Sequence, residues 1–190
     1  VLYGRVPGPA ILAAAAALAA LVVGAARRLR LVPRLLLPFG PTWRTALLAG
    51  AAFSNSMVGL VHAIGHALGG VCHVAHGEAM TILLPAVMKY NLEKCKERYG
   101  ELLLPLAGPE VYAATPAELR AQKTIDTLVA LRQQLADLTG LPTTLSQTGR
   151  VKPEQFDEVA STALNDGAII VNPAEANHEE IVGILREVWA

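Results

Sequence analysis

Four of the five histidines in this 190-residue chain lie within residues 62–76. His62 and His66 are four residues apart, and a helix places side chains at that spacing on one face, one turn above the other. A neutral imidazole offers a nitrogen lone pair at neutral pH and is the commonest protein ligand for borderline transition metals. The histidine spacing, with a third histidine beyond a turn, therefore predicts half of a metal site.

The spacing of His62 and His66 also occurs in two other kinds of site, a zinc peptidase and a helical bundle that binds haem or zinc. A zinc peptidase with the HxxxH spacing needs a glutamate directly after the first histidine as general base, and Ala63 occupies that position, so this chemistry is excluded. A helical bundle that binds haem or zinc through His62 and His66 stays open, but it needs further ligands. Cys72 and Glu78 are the only local candidates.

The cluster is predicted to lie on buried helices. Residues 42–68 read as one long apolar helix, with a break near residues 54–56 as an alternative, and its apolar composition all round indicates burial. The pair Gly69-Gly70 is expected to end this helix. His73 is expected in the exposed loop that follows. Residues 77–90 predict a second buried helix, in which Pro85 causes a kink or begins the last turn.

Helix signals continue to the end of the chain. Thr115 to Glu118 reads as a capping box, opening a helix that directs Leu119, Ile125, Leu128, Leu131 and Leu135 to a core and stops at Gly140. Pro153 is expected to open another helix, which ends near residues 165–167. Asn177 and Glu180 predict a capped last helix with Ile181, Ile184, Leu185 and Val188 on its core face. No convincing strand is present, so the fold class predicted is all-α.

Composition limits the possible partners and compartments. Lys and Arg balance Asp and Glu, and no basic patch with interleaved aromatic residues occurs, so we expect no nucleic-acid partner. The two cysteines, Cys72 and Cys95, lack the spacing of a disulfide framework and are expected to be reduced thiols of a cytoplasmic protein.

Residues 1–41 form an atypical segment rich in alanine and arginine, which we expect to be helical or poorly ordered. The apolar run Ala10–Ala26 is shorter than the roughly 20 residues that a membrane span normally needs, so we do not expect membrane insertion. A truncated chain start, or one read in an altered frame, is an alternative origin for this segment. Residues 42–190 are predicted to form one helical metal-binding domain.

Residues 53–91 resemble the iron-containing (group III) alcohol dehydrogenase family. That family's signature has HAxxH, followed by an HG pair ten residues after the second histidine. His62, Ala63, His66, His76 and Gly77 match the signature in order and spacing. The resemblance continues through residues 160–173 and covers roughly residues 42–190.

The resemblance implies the latter part of the C-terminal helical domain of the dehydroquinate synthase-like, iron alcohol dehydrogenase fold, without the nucleotide-binding α/β domain. It also implies that His62 and His76 bind the metal, and that His66, beside the metal, is a catalytic group that relays the proton. Spacing alone would instead pair His62 with His66. No residue of this chain is assigned to cofactor binding.

The implied activity is oxidation of an alcohol to an aldehyde or ketone, with hydride transfer to NAD or NADP. The implied metal is a divalent ion, Fe(II) first or Zn(II).

In the family an Asp and a His four residues later complete the metal site, and both lie upstream of the signature. Residues 1–61 of this chain contain no Asp, Glu or His. No glycine-rich pyrophosphate loop is found either. We therefore expect a C-terminal fragment that is inactive alone and can form homo-oligomers. The rival hypothesis is a non-catalytic helical metal or haem binder, tethered to a membrane by the Ala-rich segment.

Overall fold

A computed structural model describes residues 40–190 of the chain, with side chains from Leu48 onward. The expectations for the Ala- and Arg-rich N-terminal segment therefore lie outside the described residues. Within the described range no β-strand occurs, which confirms the all-α prediction. The α-helices are α1 (Gly40–Ser56), α2 (Leu60–Cys72), α3 (His76–Tyr90), α4 (Leu92–Ala107), α5 (Pro109–Ala114), α6 (Arg120–Thr139), α7 (Phe156–Leu164) and α8 (His178–Glu187). Short 3-10 helices cover Ala117–Leu119, Ser146–Thr148, Pro153–Gln155 and Gly167–Val171.

The chain divides into two compact units, and the histidine cluster belongs entirely to the one formed by residues 58–95 and 128–190. In this unit α2 packs against α3, α7 and the 3-10 helix Gly167–Val171, while α8 packs against α7 and α3. Its core is made of aliphatic side chains with almost no solvent exposure: Leu60, Ile64, Leu68, Ile82, Leu83, Leu145, Val159, Ile181 and Leu185.

Helix α2 is amphipathic in an unusual sense, because its second face carries histidines instead of charges. Leu60, Ile64 and Leu68 are fully buried and follow the helical repeat, so they form the stripe that faces the core. Burial of each such side chain stabilises the fold by roughly 1.5–3 kcal/mol. His62 and His66 lie on the opposite side of the helix from this stripe. The core packing of α2 therefore fixes where both imidazoles lie.

Helix α3 is held against α2 by close packing at a glycine. A Cβ at Gly65 would lie 1.9 Å from the Cε atom of Met80 and 3.7 Å from the Cβ of Ala79. Ala79 and Leu83 are fully buried, and α3 continues past Pro85 to Tyr90, with Pro85 inside the helix. The prediction of a second buried helix is confirmed, and the small residues at its contact explain how closely the two helices approach.

The last helix forms as its sequence predicts. Asn177 Oδ1 accepts from the N–H of Glu180 at 3.0 Å, and Glu180 Oε2 accepts from the N–H of Asn177 at 2.8 Å, which is a complete capping box. Ile181 and Leu185 are fully buried on its core face. Pro153 begins a 3-10 turn that leads into α7, and α7 ends at Leu164 as expected.

Among the described residues, the other unit comprises residues 40–57 and 96–127. Here Leu103 and Ile125 are fully buried, and the hydroxyl of Thr124 donates to the Tyr99 carbonyl at 2.7 Å. The Arg120 guanidinium lies 3.9 Å from the centre of the Tyr112 ring, a cation–π contact.

Several local predictions are wrong. The pair Gly69-Gly70 does not end α2, because the helix runs on to Cys72 and is closed by His73 in the left-handed conformation. The Thr115 hydroxyl donates to the Val111 carbonyl of the preceding helix, so it caps nothing downstream. Leu119 is 55% exposed because it lies in the 3-10 turn before α6 and not on the core face of that helix.

The long buried helix predicted over residues 42–68 is two helices, and the burial predicted for the first of them is wrong, since Leu48 and Phe53 are 65% and 54% exposed. The alternative of a break is correct, although the break lies at residues 57–59, just after the predicted position. Met57 has a positive φ of 62°, which interrupts the helical hydrogen bonds there. Among the described residues no single helix is long and apolar enough to cross a membrane, although the bent pair of Leu48–Ser56 and Leu60–Cys72 together has such a length and composition.

Candidate metal centre

The rings of His62, His66 and His76 form a nearly equilateral triangle. Ring centres are 5.5 Å apart for His62 and His76, 5.6 Å for His66 and His76, and 5.7 Å for His62 and His66. The structure therefore brings together all three histidines that the sequence analysis singled out for the site.

A sharp turn after α2 brings His76 to the other two rings. His73 adopts φ 57° and ψ 33°, and its N–H bonds to the Gly69 carbonyl, while the N–H of Val74 bonds to the Leu68 carbonyl. This pair of bonds reverses the chain direction at the helix end. Val74 is buried against the core, and the next helix, α3, begins two residues later at His76.

Asp166 contacts the cluster, and the sequence analysis did not identify it. Its Oδ2 lies 2.8 Å from Nδ1 of His66, and its Oδ1 accepts a 2.7 Å hydrogen bond from the N–H of Ala168. The residue stands between the end of α7 and the following 3-10 helix. In the sequence it looked only like part of a helix stop. The signal that could have found it is its position inside the second family-like segment, residues 160–173.

The pKa values of His62 and Asp166 are shifted by their surroundings. Burial lowers the pKa of His62, and the neighbouring His76 and His66 lower it further, while Asp166 acts in the opposite direction. For Asp166, burial alone would raise the pKa. The hydrogen bonds from Ala168 and His66 and the nearby imidazoles outweigh burial and leave that pKa below its usual value. The site thus favours a neutral His62 next to an ionised carboxylate.

The arrangement fits the two-histidine part of a metal site. An imidazole nitrogen lies about 2.0–2.1 Å from bound zinc, so two rings sharing a tetrahedral ion have centres about 5 Å apart. The 5.5 Å between His62 and His76 is close to that separation. Among the residues that the structure describes, no group of three or more His, Cys, Asp or Glu side chains is arranged so that it could hold a metal ion by itself. The described residues alone therefore do not complete a coordination sphere.

Of the two further candidate ligands, Glu78 lies half-buried in the first turn of α3, and Cys72 is poorly suited. Cys72 is buried in the apolar core, and burial together with the charge of Glu158 raises its pKa, which disfavours the thiolate that metals bind. His73 is exposed as expected, and its carbonyl accepts from Arg150 at 2.9 Å. None of these residues belongs to the triangle of rings.

The fold and this cluster define an all-helical domain with a candidate metal centre. The chain belongs to the Fe-containing alcohol dehydrogenase family, because the model of that family's C-terminal domain matches residues 42–189. This match confirms the resemblance deduced from the histidine signature.

Relatives of known activity agree with the family assignment. The chain is 35% identical over 144 residues to the 1,3-propanediol dehydrogenase of Klebsiella pneumoniae, covering 76% of this chain and 35% of that protein. It is 35% identical over 141 residues to the lactaldehyde reductase of Escherichia coli K12, covering 74% and 35%. The chain therefore spans about a third of the length of these relatives.

Solved structures show the same fold. A 1,3-propanediol oxidoreductase matches with a TM-score of 0.77 at 28% identity, covering 95% of this chain and 44% of that one. The alcohol dehydrogenase of Oenococcus oeni matches with a TM-score of 0.74 at 26% identity, covering 95% and 49%.

Proposed function

We propose that this chain is the helical, metal-binding part of an alcohol dehydrogenase that oxidises an alcohol to an aldehyde or ketone with NAD or NADP. Membership of the family supports the reaction class, and relatives are named 1,3-propanediol dehydrogenase and lactaldehyde reductase. Another relative is named an NADPH-dependent butanol dehydrogenase, which supports a nicotinamide cofactor. Small alcohols and aldehydes are the proposed substrate class.

The single observation that carries the proposal is the triangle of His62, His66 and His76, each at its position in the family signature. The three ring separations are too similar to decide which pair binds metal. We assign His62 and His76 as ligands because they match the family's ligand pair residue by residue. His66 is left for proton transfer, since its Nδ1 is already engaged by Asp166.

In this mechanism His62 and His76 hold the ion, and the protein keeps His62 neutral, which leaves its lone pair available. When bound, the metal supplies Lewis-acid polarisation of the alcohol oxygen, and the nicotinamide supplies the hydride acceptor. His66 is 45% exposed at its side chain, so it can pass a proton between the site and solvent. Asp166 holds the His66 ring while it does so.

The proposed metal is Fe(II), with Zn(II) as the alternative. Iron(II) stands below zinc in the general affinity order of such sites, so the ion bound depends on its availability as well as on the ligands. A cytoplasmic location and self-association into homo-oligomers stay predictions.

Metal titration of the chain with single substitutions tests the ligand assignment. Two neutral ligands leave half of the coordination sphere to water, so we expect weak Zn(II) or anaerobic Fe(II) binding by calorimetry. His62→Ala and His76→Ala should each weaken it by about tenfold or more. His66→Ala should weaken it less than either.

The matched control is His73→Asn, which removes an imidazole three residues from His76 and retains a residue type that tolerates the left-handed conformation. It should leave the metal affinity unchanged. Tight binding that survives His76→Ala would refute the ligand pair. Loss of binding in His66→Ala together with retention in His76→Ala would instead support the pairing of His62 with His66.

A further inference from the structure

We propose that Asp166 is a positioning residue that holds His66 in the tautomer with its hydrogen on Nδ1 and its lone pair on Nε2. This inference rests on the proposed function, in which His66 relays the proton. Nε2 is then the ring atom that can accept a proton from the site. In this proposal Asp166 acts only through His66 and contacts neither the substrate nor the metal.

The hydrogen bond between Asp166 and His66 determines which ring nitrogen carries the hydrogen. Oδ2 of Asp166 lies 2.8 Å from Nδ1 of His66, a hydrogen-bond distance. An ionised carboxylate can only accept hydrogen bonds, so Nδ1 has to be the donor. A neutral imidazole with its hydrogen on Nδ1 carries its lone pair on Nε2, and the tautomer follows from the identity of the partner.

Asp166 is itself held on two sides, so it can orient the ring. Its Oδ1 accepts from the N–H of Ala168 at 2.7 Å, and its own N–H donates to the Ala163 carbonyl at 3.1 Å. The helix before it, α7, and the 3-10 helix after it both pack against α2, which carries His66. The carboxylate is therefore fixed relative to the imidazole by core packing and not by a long surface side chain.

The bond from Ala168 makes one substitution especially informative. In Asp166→Asn the amide oxygen is needed at the Oδ1 position, because the N–H of Ala168 can only donate. The amide NH2 group then faces His66, and it too can only donate. Nδ1 must now accept, so the substitution should move the hydrogen of His66 from Nδ1 to Nε2 while the size and shape of the side chain are preserved.

The test is a two-bond proton–nitrogen NMR spectrum of the full 190-residue chain labelled with nitrogen-15 at histidine. The spectrum is recorded with chelator and at about pH 8, where an ordinary histidine is neutral. His66→Gln identifies the signals of His66 by their disappearance. We expect a protonated Nδ1 and an unprotonated Nε2 in the unsubstituted chain, and the reverse in Asp166→Asn. Asp157→Asn is the matched control, since Asp157 is an exposed carboxylate beside a different histidine, His178, and should leave the His66 signals unchanged.

Two results would overturn the inference: a His66 with its hydrogen on Nε2 in the unsubstituted chain, or the same tautomer in the chain and in Asp166→Asn. The first needs no variant, so the inference stays testable even if Asp166→Asn does not fold. Because the spectrum is recorded without metal, it is independent of the metal titration. Metal affinity that is unchanged by His62→Ala and His76→Ala would contradict the proposed function. It would not affect the measured tautomer of His66.

Discussion

The side chain of Asn172 caps the helix that carries His62 and His66: its Oδ1 accepts a 3.0 Å hydrogen bond from the N–H of Leu60, the first residue of α2. The same oxygen accepts from Asn91 Nδ2 at 3.0 Å, while Asn172 Nδ2 donates to Asn91 Oδ1 at 2.8 Å and to the Ala174 carbonyl at 2.7 Å. One amide thus ties together the start of α2, the end of α3 and the loop before α8.

Asn172→Ala is expected to lower the free energy of unfolding by about 1–3 kcal/mol, since the buried Asn91 amide and the N–H of Leu60 would lose their partners. Urea denaturation followed by circular dichroism measures the change. Asn165→Ala is the control, because Asn165 is exposed and makes only a local bond to the Ser161 carbonyl, and it should cost less than about 0.5 kcal/mol. Equal losses in the two variants would contradict a capping role for Asn172.

Gly59 leaves the space that this cap requires. A Cβ there would lie 2.8 Å from Asn172 Oδ1, and that oxygen cannot retreat without giving up its two hydrogen bonds. Gly59→Ala should therefore destabilise the fold by about 1–3 kcal/mol. Gly70→Ala, inside α2 and with nothing within 4 Å of the added atom, should stabilise the fold by about 0.5–1 kcal/mol. Paired urea curves test both signs, and a Gly59→Ala variant as stable as the parent chain would be evidence against the steric argument.

The sequence was sufficient for some of the structure that depends on neighbours along the chain. The last helix is an example, because Asn177 and Glu180 form their capping bonds within one turn. The histidine triangle was also predictable, since the family signature fixes its spacing. The pairing of His66 with Asp166 joins residues 100 positions apart, and nothing in the local pattern of either residue marks the other. Tertiary packing decides such contacts.

The wrong predictions at Gly69-Gly70 and Thr115 arose because a local sequence pattern competed with other contacts that the residues could make. Gly69-Gly70 looked like a helix stop, yet the helix continues because Cys72 is buried in the core one turn later and His73 accepts the left-handed conformation. Thr115 looked like a cap for the next helix, yet its hydroxyl bonds backward to Val111. In each case a local rule was correct about the residue type and wrong about which partner was available.

The lowered pKa of His62 predicts a loss of stability in mild acid. His62 has a lower pKa in the folded chain than the ordinary value of 6.5, which it is expected to have in the unfolded chain. The unfolded chain therefore binds the proton more tightly, and acidification favours unfolding. The free energy of unfolding should fall as pH drops through 6.5 toward the lowered pKa of the folded state. The Asp166 carboxyl, whose pKa lies below 3.8, contributes its own loss only in stronger acid.

Urea denaturation at about pH 7.5 and about pH 5, with chelator present, isolates this contribution. His62→Gln should show a smaller fall between the two pH values than the unsubstituted chain. His178→Gln serves as control, since His178 lies outside the cluster, against the carbonyl of Asp157. An identical fall with and without His62 would show that the pH dependence arises elsewhere.

The division of labour among the three histidines is tested by turnover in a full-length dehydrogenase that carries this helical segment. His66→Ala should retain metal, measured by elemental analysis of the purified protein, and should lower kcat by about 100-fold or more, since it removes a proton-transfer group. His76→Ala should lose both metal and turnover, because it removes a ligand. The two variants are expected to differ in metal content, although the ring centres of His66 and His76 lie only 5.6 Å apart in the unsubstituted chain. Unchanged kcat in His66→Ala with metal retained would exclude the proton relay. Loss of metal in that variant would identify His66 as a ligand and make its bond to Asp166 one that orients a ligand ring, a common arrangement around protein-bound metals.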